Sequence, residues 1–181
     1  MSLRAGWVIT LVLASTITSG MSVPLTHLHS GRGTVHYFRP PNVVLDLRLA
    51  SGKMNRIPLT HQEIGQQRRG EIWDATVIAE DLGHFVIFTD RFSSNANIQG
   101  ECGANPVGER YLHVVTLTTP MRETLSLNID SCYRSLSTPR GYPKYDPVPR
   151  ILVIKTEHED TSITNVSRYR IAIDGNVEMI H

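Results

Sequence analysis

Cys102 and Cys132 are the only two cysteines in the chain, and a thiol pair can carry redox chemistry, ligate a metal or close a disulfide. Their spacing does not fit a Cys-x-x-Cys redox motif, so a structural staple is the expected role. Such a bridge closes a loop of about 30 residues and contributes roughly 3–4 kcal/mol on the chain-entropy model. Disulfides persist in oxidising compartments, and the start of the chain agrees with export. Arg4 precedes an apolar run from Trp7 to Ala14, and Thr18 and Gly20 occupy the −3 and −1 positions of a cleavage after Gly20. The expected organisation is a signal peptide over residues 1–20 and a single β-rich domain over 21–181. Residues 21–33 are expected to be flexible, and the localisation periplasmic or secreted.

The richest candidate binding segment lies between Cys132 and the strand that starts at Ile151, and its Ser137–Arg150 stretch contains Pro139, Pro143, Pro147 and Pro149. Proline excludes a helix or a central strand there. Arg134, Arg140, Tyr142, Lys144, Tyr145 and Arg150 are expected to project from this stiffened loop, with Cys132 at its base. Tyr and Arg are common interface anchors, and a stiff loop loses little entropy on binding. Arg140, Tyr142, Lys144 and Tyr145 are therefore the candidate partner contacts; a solvated crossover between sheets is the alternative.

Other reactive residues form weaker constellations. His27 and His29 share one face of an extended segment and offer two imidazoles to a metal, but no third ligand accompanies them. Glu157-His158-Glu159-Asp160 could attract a cation, yet lacks the spacing of a calcium loop and reads as a charged turn. There is no Gly-x-Ser-x-Gly elbow and no His-Glu-x-x-His motif. Asn165-Val166-Ser167 is a glycosylation sequon, relevant only in a eukaryotic secretory route. No catalytic residue, metal ligand set or cofactor is expected, and the chain is read as a non-enzyme.

The elements that must position such residues are strands. Val44–Leu49, Tyr111–Leu117, Leu125–Ile129 and Tyr169–Ile173 alternate apolar and polar residues with a period of two, as half-buried antiparallel strands do. His84–Phe88 and Ile151–Ile154 are apolar on both faces and read as strands buried on both sides. Trp73–Ile78 and Val177–Ile180 also lean to β. Turn residues separate these runs at Ser51-Gly52, Asp81-Leu82-Gly83 and Asp174-Gly175-Asn176. One weak helical candidate lies at Thr60–Gln67. The fold class is all-β: a single antiparallel sandwich or barrel-like domain with one disulfide. A net charge of +1 without a basic stripe argues against nucleic acid, and no second apolar run is long enough to span a membrane after signal cleavage.

Gly100-Glu101-Cys102-Gly103-Ala104-Asn105, followed by Glu109-Arg110-Tyr111-Leu112 and Ile129-Asp130-Ser131-Cys132, is similar to sequences of bacterial periplasmic lysozyme inhibitors and secretion-system immunity proteins. The resemblance implies a β-rich periplasmic protein that occludes the active site of a partner, a peptidoglycan-degrading effector or a lysozyme. The expected function is that of an inhibitor or immunity protein. The alternatives are an envelope hydrolase with catalytic residues scattered among strands, and a metal-binding envelope protein using His27 and His29.

Overall fold

Val43, Leu45 and Leu47 are buried while Arg48, on the opposite face of the strand, is exposed, as the alternation of that segment requires; Asp46 shares the face of Arg48 but is buried and paired with Arg56 at 2.8 Å. The same logic repeats along the chain in a computed structural model that describes residues 21–28, 31–39, 42–49, 51–61, 72–81, 83–92, 108–132 and 134–181. Thirteen strands occur among these residues: β1 (Met21–Leu28), β2 (Gly31–Arg39), β3 (Asn42–Leu49), β4 (Met54–Leu59), β5 (Ile72–Asp81), β6 (Phe85–Phe92), β7 (Glu109–Thr116), β8 (Arg122–Ser131), β9 (Leu136–Ser137), β10 (Lys144–Asp146), β11 (Ile151–His158), β12 (Ile163–Ile171) and β13 (Val177–Ile180). No helix occurs among the described residues. The expected signal peptide, His29 and Cys102 lie outside them, as does most of the expected helix at Thr60–Gln67; Thr60 and His61 themselves are not helical. Among the described residues no cysteine is free.

The strands form two antiparallel sheets. The first has the order β1-β2-β3-β4. The second has the order β13-β12-β11-β9-β8-β7-β6-β5, with β10 paired to β11. Both sheets are open, so the barrel alternative does not hold and the architecture is sandwich-like. Met21–Leu28, expected within a flexible terminus, pairs with β2 as strand β1. Pro58 hid β4 from the sequence pattern; the strand tolerates it because β4 is an edge, where the missing amide breaks no inner ladder.

The second sheet folds back on itself, which creates three layers. β9 is only two residues long and pairs with the end of β8 on one side and of β11 on the other. Beyond that corner, Leu152, Ile154, Tyr169 and Ile171 of β11 and β12 pack on Phe85, Ile87, Leu112 and Val114 of β6 and β7. On the opposite face of the middle layer, Val86, Phe88, Tyr111 and Val115 meet Val35, Leu45, Leu47, Ile57 and Leu59 of the first sheet. β6 is thus covered on both sides, and Phe85–Asp90 is buried without a break, as its continuous apolar run suggested. β11 differs: Leu152 and Ile154 are buried, but Ile151 and Val153 are only half-buried because no layer formed by the described residues covers the outer face. Ile173 falls beyond β12 and is exposed.

Candidate functional site

Two polar features stand out against this apolar frame, one inside the sandwich and one on its outer face. The inner one begins with strand parity. Val86, Phe88 and Asp90 of β6 share the face turned to the first sheet, as do Tyr111, His113 and Val115 of β7. Asp90 and His113 therefore enter the core between the sheets. His61 joins them from the end of β4. The backbone at Thr60 is stitched to β8, its amide donating to Glu123 Oε2 at 2.7 Å and its carbonyl accepting from Ser126 Oγ. That stitch turns the next residue inward, where His61 is 5% exposed.

Glu123 reaches the cluster through a β-bulge. Leu125 pairs with Val114, but Glu123 pairs with Val115, so Thr124 is an extra residue in β8. An inserted residue reverses the parity of everything before it. Glu123, which would otherwise share the face of Leu125, turns instead toward His113. Thr124 fills the gap with its hydroxyl, which donates to the carbonyls of Val114 at 3.2 Å and Gly175 at 2.7 Å.

The resulting geometry is tight. His61 Nε2 donates to Asp90 Oδ2 at 2.7 Å, and His113 Nδ1 donates to Glu123 Oε1 at 2.6 Å. His113 Nε2 lies 3.3 Å from Asp90 Oδ1. Phe88 stacks on the His113 ring at 4.9 Å, and Tyr111 meets His61 edge-on at 4.6 Å. Burial opposes charge on both Asp90 and His113. For Asp90 the two imidazoles outweigh that cost and hold the carboxyl well below the usual carboxylate range. For His113, Asp90 and Glu123 together outweigh it and push the imidazole up to about 9.

The outer feature contains part of the predicted loop. Lys144 of β10 is exposed and pairs in register with Val153, which pairs with Arg168, which pairs with Ile180. These residues share the uncovered face of β10–β13, together with Ile151, Val166 and Arg170. Arg168 and Arg170 are exposed and Val166 is 55% exposed. Asp146, Glu157 and Glu178 also lie on this face, and Lys155 pairs with Glu157 at 2.8 Å. Among the described residues, no salt bridge engages Lys144, Arg168 or Arg170.

Comparison of the chain with protein-family models, with curated proteins and with solved structures finds no match.

The predicted contacts divide. Arg140 and Lys144 are exposed and Tyr142 is half-buried. Tyr145 does not project: it is the register partner of Leu152, so it shares the inward face and meets Phe85 edge-on with ring centroids 5.9 Å apart. Its hydroxyl is buried without a hydrogen-bond partner, and burial raises its pKa. Arg150 turns back to Asp81 at 2.8 Å, and only Arg134 of the remaining candidates is free at the surface. His158 lines an open hollow with Ser137, Glu157, Glu159, Ser162 and Thr164. The side chains of His27 and His29 lie outside the described residues. Sequence reasoning missed His61, Asp90, His113 and Glu123. The available signal was His113 itself, a titratable residue on the apolar face shared by Tyr111, Val115 and Leu117.

Proposed function

We propose that this chain is an exported binding protein that occludes the active-site cleft of a cell-wall-degrading enzyme, with the outer face of β10–β13 making the contact. The reading includes cleavage after Gly20, a periplasmic or secreted location and a bridge between Cys102 and Cys132. It rests on one observation: Lys144, Arg168 and Arg170 stand exposed beside Val153, Val166 and Ile151 on a sheet face that none of the described residues covers. Enzymes that cleave glycosidic bonds carry paired carboxylates in their clefts. Guanidinium and ammonium groups meet carboxylates through the strongest hydrogen bonds available at an interface, and the adjacent aliphatic residues supply apolar area. A sheet held by two packed layers needs little ordering on binding. Burial of His61, Asp90 and His113 among apolar side chains favours binding over hydrolysis, because a substrate has no approach to them.

The test is inhibition of peptidoglycan lysis by a panel of muramidases, followed by turbidity. The wild-type chain should inhibit at least one panel member at equimolar ratio. The triple variant Lys144→Glu, Arg168→Glu, Arg170→Glu should lose affinity by about 100-fold while its Tm stays within about 2 °C, since all three residues are exposed. Absence of inhibition across the panel, or inhibition untouched by the charge reversal, refutes the reading.

A further inference from the structure

We propose that His61, Asp90 and His113 form a buried site for a divalent transition metal, with Zn²⁺ the ion their donors suit best. This goes beyond the binding role of the outer face and does not depend on it. Two imidazoles and one carboxylate are a donor set for zinc and its neighbours, and a poor one for calcium or magnesium, which select oxygen. One nitrogen from each histidine and an oxygen from Asp90 all lie within 4.8 Å of one another. Donors about 2.0–2.2 Å from a tetrahedral ion sit roughly 3.4 Å apart. His113 Nε2 and Asp90 Oδ1 already stand at 3.3 Å, and His61 Nε2 and Asp90 Oδ2 at 2.7 Å. Side-chain adjustments of about an ångström close the set. Asp90 turns one oxygen toward each imidazole, so a bidentate carboxylate and the two imidazole nitrogens together make four donor atoms without a further residue.

Two independent observations point to an ion. First, His113 Nε2 and Asp90 Oδ1 are fully buried and face each other at ion-pair distance, 3.3 Å, yet neither makes a hydrogen bond among the described residues. Buried polar atoms left in that state are costly, and an ion between them satisfies both. Second, Glu123 binds His113 Nδ1 at 2.6 Å. A carboxylate on the far nitrogen is the outer-shell arrangement that fixes a ligating histidine's tautomer and aims its other nitrogen at the metal. The bulge at Thr124 is what delivers Glu123 to that nitrogen. Glu123 is thus a positioning residue, and the ion would tie the end of β4 to β6 and β7.

Full-length mature chain, stripped with chelator and dialysed, should take up one equivalent of Zn²⁺ by elemental analysis. Its Tm should rise by about 5–10 °C when free Zn²⁺ exceeds Kd by 100-fold. Co²⁺ in place of zinc should give visible absorption of a nitrogen- and oxygen-ligated tetrahedral ion. Glu123→Gln can keep its bond to the Thr60 amide through the carboxamide oxygen, and should weaken Zn²⁺ binding 10- to 100-fold. His113→Gln and His61→Gln should lose the equivalent, and His158→Ala, in the separate surface hollow, should retain it. No uptake by the folded wild-type chain overturns the proposal, whatever the variants do. So does uptake that survives His113→Gln, or that disappears in His158→Ala.

Discussion

Replacing Gly175 by alanine probes the turn that buttresses the bulge at Thr124. Gly175 has φ +81°, and a Cβ placed there would lie 2.6 Å from Thr116 Cβ and 2.9 Å from its hydroxyl oxygen. Ordinary contact begins at 3.4 Å, so the turn must retreat by about 1 Å. That retreat pulls on two short hydrogen bonds, Thr116 Oγ1 to the Asp174 carbonyl at 2.8 Å and Thr124 Oγ1 to the Gly175 carbonyl at 2.7 Å. Each is worth about 1 kcal/mol, and the left-handed backbone costs alanine roughly 1–2 kcal/mol. The expected loss is about 3–4 kcal/mol. Gly52→Ala is the control: its φ is +83°, but nothing lies within 4 Å of the added carbon, so only the backbone cost of about 1–2 kcal/mol applies. The change in unfolded-chain entropy is common to both variants and cancels. Calorimetry should place the Gly175→Ala Tm about 10 °C below wild type and the Gly52→Ala Tm about 4 °C below. Equal shifts would refute the close-approach argument and with it the claim that this turn holds the bulge.

Four further outcomes follow from the same frame. In chelator-treated protein, His113 faces Asp90, His61 and Glu123, and its folded pKa of about 9 lies above the usual 6.5. Its contribution is therefore complete below pH 6.5 and is lost as pH rises to about 9; urea unfolding should record a decline of roughly 3 kcal/mol over that window, and an equal decline in His113→Gln would dismiss the assignment. Asp90 acts in the opposite sense: its folded pKa is depressed, so its contribution is present above about pH 3.9 and fades as pH falls below it, which Asp90→Asn should abolish in an acid titration. Tyr145→Phe removes a buried hydroxyl that has no partner, so stability should hold or rise by up to about 1 kcal/mol, whereas a loss beyond about 1 kcal/mol would mean that the hydroxyl is bonded. Leu45→Ala, at a fully buried position of the core between the sheets, should cost about 2–5 kcal/mol in urea unfolding; a cost below 1 kcal/mol would place that face at the surface.

The local state of the chain was legible from the order of its residues. A period of two depends only on neighbouring residues, so the alternation in Val44–Leu49, the run His84–Phe88 and the turn at Asp174–Asn176 carried β3, β6 and the β12–β13 hairpin into view. β4 and β10 were obscured by Pro58 and by the prolines around Lys144–Asp146, because an edge strand tolerates residues that a propensity reading rejects. Which residues meet is set by packing between distant segments. His61, Asp90 and His113 come from three separate segments, and their convergence depends on how one sheet folds over another. Tyr145 turned inward because its register partner is Leu152, a pairing no local pattern encodes. Glu123 is the sharpest case: parity with Leu125, Leu127 and Ile129 assigns it to the opposite face, and one extra residue in β8 reverses that assignment. A bulge is set by the fit between two strands, and the strand's own sequence does not announce it.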